Sequence, residues 1–65
     1  MFKNVLEELL SEKGISQRKL SIEADIPATT ISGWLTAGKL PDYNSIKKLA
    51  EYFDVTADYL LELKD

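Results

Sequence analysis

Gln17-Arg18-Lys19-Leu20-Ser21-Ile22-Glu23-Ala24-Asp25-Ile26-Pro27-Ala28-Thr29-Thr30-Ile31-Ser32-Gly33-Trp34-Leu35 is the stretch on which the fold turns. It divides into two short helices across a tight connection at residues 24–26. Ser16 offers an N-cap oxygen to the first helix, expected over 17–24 with Leu20 and Ala24 facing inward. Pro27 suits the first position of the second helix, because its ring already holds φ near the helical value. Ile31, Trp34 and Leu35 give that helix a buried stripe, and Gly38 ends it, so it is expected over 27–37. Ser21 and Ala24 are small where the two helices must approach. Leu20, Ile26, Ile31 and Trp34 wedge the corner from inside.

Outside this corner the pattern stays helical. Phe2, Val5, Leu6, Leu9 and Leu10 follow the i, i+3, i+4, i+7, i+8 spacing of an amphipathic helix over 2–13, and Gly14 is a good residue to close it. After the turn at Leu40-Pro41-Asp42, Asp42 can cap a helix over 43–54 whose core face is Ile46, Leu49, Ala50 and Phe53. Val55-Thr56 breaks it. Thr56 then caps a last helix over 57–63, which buries Leu60 with Tyr59 and Leu61 beside it. No stretch alternates with period two for long enough to predict a strand. The expectation is an all-α bundle of five short helices forming a single domain over residues 1–65, with links of only a few residues.

Composition narrows the chemistry. The chain has 65 residues, 45% hydrophobic and 29% charged, which fits one globular domain. Cysteine and histidine are both absent, which removes disulfides, thiolate metal sites, the commonest general base and the commonest metal ligand. No cofactor is expected. Glu7/Glu8 and Asp54/Asp58 are paired carboxylates, yet nothing marks a cleft that would tune their pKa values, and so small a bundle leaves little room for a substrate pocket. The expectation is therefore a protein that is not an enzyme and has no small-molecule substrate. Apolar runs are a few residues long, against the roughly 20 needed to span a membrane, and Met1-Phe2-Lys3-Asn4 does not resemble a signal peptide. A cytoplasmic location, in a bacterium or a phage-infected cell, is the corresponding expectation.

Formal charge is −3 and unevenly spread. Residues 1–13 set Lys3 and Lys13 against Glu7, Glu8 and Glu12. Residues 14–40 set Arg18, Lys19 and Lys39 against Glu23 and Asp25, so the middle is mildly basic. Residues 41–65 set three lysines against six acids, which puts the acidity in the last third.

Five fragments in order resemble the phage-repressor family of helix-turn-helix proteins, of the Cro-like or xenobiotic-response-element type. They are Ser16-Gln17-x-x-Leu20; Thr30-Ile31-Ser32-x-Trp34; Gly38 followed by Pro41; Lys48-Leu49-Ala50-x-x-Phe53-x-Val55; and Asp58-Tyr59-Leu60-Leu61. The resemblance runs from Phe2 to about Glu62. It implies a lambda-repressor-like DNA-binding domain, with the helix-turn-helix formed by the second and third helices. It also implies double-stranded DNA as partner, the helix over 27–37 in the major groove, and Ala28, Thr29, Ser32, Gly33 and Thr36 facing base edges. By the same resemblance Gln17 touches a phosphate and Lys39 contacts the backbone. Tyr43 and Asn44 stand at a helix N-terminus whose free N–H groups suit a phosphate, and Arg18 is a phosphate candidate beside Gln17. The implied role is a transcriptional regulator, a repressor or its N-terminal domain, acting as a homodimer on a pseudo-palindromic operator. The chain ends at Leu63-Lys64-Asp65, just past the last expected helix, which suits either a fragment or a minimal regulator.

The chain departs from the family pattern at three places. Asp25 stands where the family has glycine in the turn, although aspartate reaches the left-handed region more readily than most residues. Pro27 replaces a serine or threonine cap. The reading face holds no Arg, Asn or Gln, the residues that pair bidentately with guanine or adenine, so one copy should discriminate sequence modestly.

Plainer roles stand beside these. Trp34, on the Ile31/Leu35 stripe, reads as core rather than as a base-stacking residue. Tyr52 and Phe53 read as packing residues, and Lys47 and Lys48 as solubility charges. Gly33 costs about 1 kcal/mol in a helix relative to alanine, so close approach of DNA or of a neighbouring helix would explain it. The alternative function is a protein-interaction module that uses Tyr43, Tyr52, Tyr59 and the acidic last third.

Overall fold

The computed structural model describes residues 2–61, among which five helices and no strand occur. They are α1 (Phe2–Lys13), α2 (Gln17–Ala24), α3 (Ala28–Thr36), α4 (Tyr43–Phe53) and α5 (Ala57–Leu61). Residues 62 and 63, expected in the last helix, and Glu62, where the family resemblance ends, lie outside the described residues.

Local chemistry sets the boundaries. The Ser16 side chain accepts from the Lys19 N–H (3.1 Å), Asp42 Oδ1 accepts from the Ser45 N–H (3.0 Å), and Thr56 Oγ1 accepts from the Tyr59 N–H (3.1 Å). Each satisfies a donor that the first helical turn leaves free. Three helices end by one device, a residue in the left-handed region followed by an aliphatic one. The pairs are Gly14-Ile15, Asp25-Ile26 and Asp54-Val55, with φ of 69°, 60° and 58° at the first member. In each pair the aliphatic N–H donates back five residues, from Ile15 to Leu10, Ile26 to Ser21 and Val55 to Ala50. This closes the last turn and presses the aliphatic side chain onto the core.

The core is continuous. Leu6, Leu20, Ile31, Leu49 and Leu60 are fully buried, one from each helix, and each contributes about 1.5–3 kcal/mol by leaving water. Phe2 meets Trp34 edge-to-face at 5.4 Å between centroids, which joins α1 to α3. Helix α1 packs on α3 and α5, α2 on α3 and α4, and α4 on α5. Two helices therefore grip α3 from behind.

Three boundaries correct the sequence reading. Pro27 is the N-cap of α3 and not its first helical residue. Its ψ of 137° is extended, while its carbonyl accepts from Thr30 and Ile31. A proline supplies no capping side chain, so α3 starts on rigidity alone. At the other end, Ala37 (φ −110°, ψ 2°) is the C-cap, so α3 is Ala28–Thr36. Likewise Asp54, not Val55-Thr56, stops α4.

Candidate nucleic-acid interface

Helix α3 has two faces of opposite character. Ile31, Trp34 and Leu35 are buried. On the other side Ala28, Thr29 and Thr36 are exposed, and Ser32 and Gly33 half-buried. All five expected base-reading residues thus share one face, as their spacing along a helix requires. The Thr36 hydroxyl donates to the Ser32 carbonyl (2.7 Å), which leaves its methyl and its lone pairs outward.

Two residues of that face, Thr29 and Gly33, border an open trough of about 630 Å³, while Ala28, Ser32 and Thr36 lie outside it. Thr29, Thr30 and Gly33 belong to the α3 wall, with Pro27 at its start and an edge of Trp34. Lys39, Leu40 and Asp42 supply the loop side, and Asn44, Ser45 and Lys48 the α4 side. The trough is open to solvent along its length and is not the enclosed, mostly apolar kind of pocket that buries a small ligand. Lys39 is tied down at its backbone, whose N–H donates to the Gly33 carbonyl (3.2 Å). Its aliphatic stem lies along α3, with Cδ 3.4 Å from where a β-carbon on Gly33 would stand. The ammonium is thereby carried beside the reading face, near the negative end of the α3 dipole.

The trough gathers Thr29, Gly33, Lys39 and Asn44 of the expected set, but not all of it. Arg18 lies on another face of α2, with Lys19, Ile22 and Glu23 around a shallower hollow of about 320 Å³. Gln17 is exposed in the first turn of α2. Tyr43, at the first position of α4, is 78% exposed.

Sequence reading missed two supports beneath this surface. Lys48, taken as a solubility charge, donates its ammonium to the Asp25 carbonyl (2.7 Å) and lies 3.9 Å from the Asp25 carboxylate. It is a strut from α4 to the turn between α2 and α3. One helical turn on, the Tyr52 hydroxyl donates to Glu23 at the end of α2. The Lys13 ammonium sits 5.2 Å from the centre of the Tyr52 ring, and Lys19 pairs with Glu23 at 3.6 Å. The Tyr52 hydrogen bond holds the Glu23 carboxyl below its ordinary range, against a partial desolvation, with Lys19 helping. The same bond pushes the Tyr52 phenol up. The only local signal for these contacts was the i, i+4 spacing of Lys48 and Tyr52. Their partners are 23 and 29 residues away.

An all-helical domain in which a short helix is braced at an angle by its predecessor, with one polar face left free, is a helix-turn-helix domain. The chain belongs to the helix-turn-helix domain family, whose profile matches residues 4–65. It is also similar to the HTH-type transcriptional activator BcrR of Enterococcus faecalis, with 32% identity over 60 residues. That match covers 92% of this chain but 29% of the relative, so the chain spans less than a third of that protein's length. No solved structure matches it. Among the described residues, no helix is long and apolar enough to cross a membrane.

Proposed function

We propose that this chain reads double-stranded DNA as the binding domain of a transcriptional regulator, with α3 seated in the major groove. The observation that carries the reading is the free face of α3, backed by a fully buried opposite face and flanked by Lys39. A helix held from behind by two others can offer five small side chains to a groove about 12 Å wide. Family membership and the similarity to a named transcriptional activator support the same reading.

In this proposal Ala28 and the methyls of Thr29 and Thr36 meet thymine methyls. Ser32 and the threonine hydroxyls exchange hydrogen bonds with base edges, and Gly33 lets the backbone come close. Gln17, Arg18 and Lys39 bind phosphates on either side, while Tyr43 and Asn44, at the α4 N-terminus that Asp42 caps, are given no phosphate. Two copies, about 34 Å apart on a pseudo-palindrome, multiply the modest discrimination of each. Bound there, the domain represses where its site overlaps that of another DNA-binding protein.

The competing reading, a protein-interaction module, keeps an exposed Tyr43 but is weakened at its other two tyrosines. Tyr52 and Tyr59 pack against the core, and Tyr52 is further held by Glu23. The test is a binding-site selection from random duplexes with wild type, Thr29→Ala and Ser32→Ala. The proposal expects a selected motif that each variant relaxes at some positions while melting like wild type. Wild-type motifs from both variants would place the wrong face on DNA.

A further inference from the structure

The N-terminus of α4 already holds an anion. Asp42 caps it as its sequence position implied, and its Oδ1 accepts from the Ser45 N–H. Ser45 is buried beneath this carboxylate. Hydrogen bonding to Ser45 holds the Asp42 carboxyl below its ordinary range against partial desolvation. The charge is thus permanent at neutral pH. Asp42 lines the same trough as Thr29, Gly33, Lys39 and Asn44. Lys48, its neighbour in that trough, directs its ammonium to Asp25.

We propose that Asp42 is a specificity-determining residue of the DNA interface, a fixed negative charge that keeps phosphates off the start of α4. The inference rests on the DNA reading above. Sequence-independent affinity comes from phosphate neutralisation, while α3 offers only Ala, Thr, Ser and Gly for base discrimination. With weak base contacts, a useful ratio of specific to non-specific binding requires that the phosphate contribution stay small. A carboxylate in the trough achieves this without touching a base. It also leaves Lys39 as the one lysine of the trough whose ammonium is not directed at the turn.

The charge can be removed without removing the cap, since asparagine and serine are N-caps comparable to aspartate. The experiment measures fluorescence anisotropy of a labelled random-sequence duplex against wild type, Asp42→Asn, Asp42→Ser and Asp58→Asn. Salt runs from about 50 to 200 mM, and thermal melts accompany each variant. Asp58→Asn makes the same charge change on α5. The proposal expects Asp42→Asn and Asp42→Ser to bind about two- to fivefold more tightly at low salt, the size typical of a single exposed charge–charge interaction. It also expects a steeper salt dependence and a much smaller effect on binding from Asp58→Asn. Melting temperature should drop slightly in both Asp42 variants, because an anion at a helix N-terminus is itself favourable. Equal effects at positions 42 and 58 would overturn it in favour of net charge alone. Unchanged or weaker binding by both Asp42 variants, with wild type still binding in a salt-dependent way, would overturn it and leave the DNA reading standing. No binding by any of the four proteins would overturn both.

Discussion

Gly33 separates what is good for the fold from what is good for the interface. It lies inside α3 with helical φ, where glycine is about 0.8–1.0 kcal/mol worse than alanine. A β-carbon added there meets nothing closer than Lys39 Cδ at 3.4 Å, which is ordinary van der Waals distance to a flexible chain. Gly33→Ala should therefore stabilise the domain by about 0.5–1 kcal/mol, once a small displacement of Lys39 is allowed for. For a domain of this size that raises Tm by roughly 2–8 °C. On DNA the sign reverses, because the added methyl projects from the reading face and moves the Lys39 stem. A loss of about 1 kcal/mol there is roughly fivefold in affinity. Thermal melting by circular dichroism and anisotropy on a short duplex, run on one preparation, read the two effects independently. A lowered Tm would refute the claim that this face is open. A raised Tm with unchanged affinity would refute the claim that Gly33 touches DNA.

Ile31→Ala should cost about 2–5 kcal/mol, because the side chain is fully buried where α3 meets the core. That is much of the stability of a 65-residue domain, so its urea midpoint should collapse while Thr29→Ala melts like wild type. The Tyr52–Glu23 bond makes stability depend on pH at both ends. The Glu23 carboxyl is lowered from 4.5, so its contribution is present above pH 4.5 and is lost as pH falls through the folded value. The Tyr52 phenol is raised from 10.0, so its contribution is present below pH 10.0 and is lost as pH rises through the folded value. Tyr52→Phe should flatten both limbs of the curve of urea midpoint against pH. Limbs as steep as in wild type would show that the bond does not persist in solution.

What the sequence made legible was local. The apolar period of α1 named its five buried residues, and Ser16, Asp42 and Thr56 cap the helices they precede. Gly14 and Gly38 both have φ of 69°, at the ends where glycine was expected. Asp25 enters the left-handed region as its place in the turn required. Asp54 does the same before Val55, and was missed although Asp25-Ile26 is the same pattern. Pro27 misled because its φ suits both a cap and a first helical residue, and only ψ tells them apart. The common face of Ala28, Thr29, Ser32, Gly33 and Thr36 follows from helical spacing alone. Lys48 on Asp25 and Tyr52 on Glu23 were not legible, because they exist only once α4 lies across α2. The charge of Asp42 in the trough was hidden for the same reason. Its capping role is readable from four residues, but its neighbours Thr29 and Gly33 come from another helix.

The measurement that bears most directly on the central claim is chemical-shift perturbation of the labelled protein by a randomised short duplex, at low and then moderate salt. The account predicts shifts clustered on Gln17, Arg18, residues 28–36 and Lys39 that fade as salt rises. Absence of shifts, or shifts confined to residues 43–65, would contradict it and point to a protein partner instead.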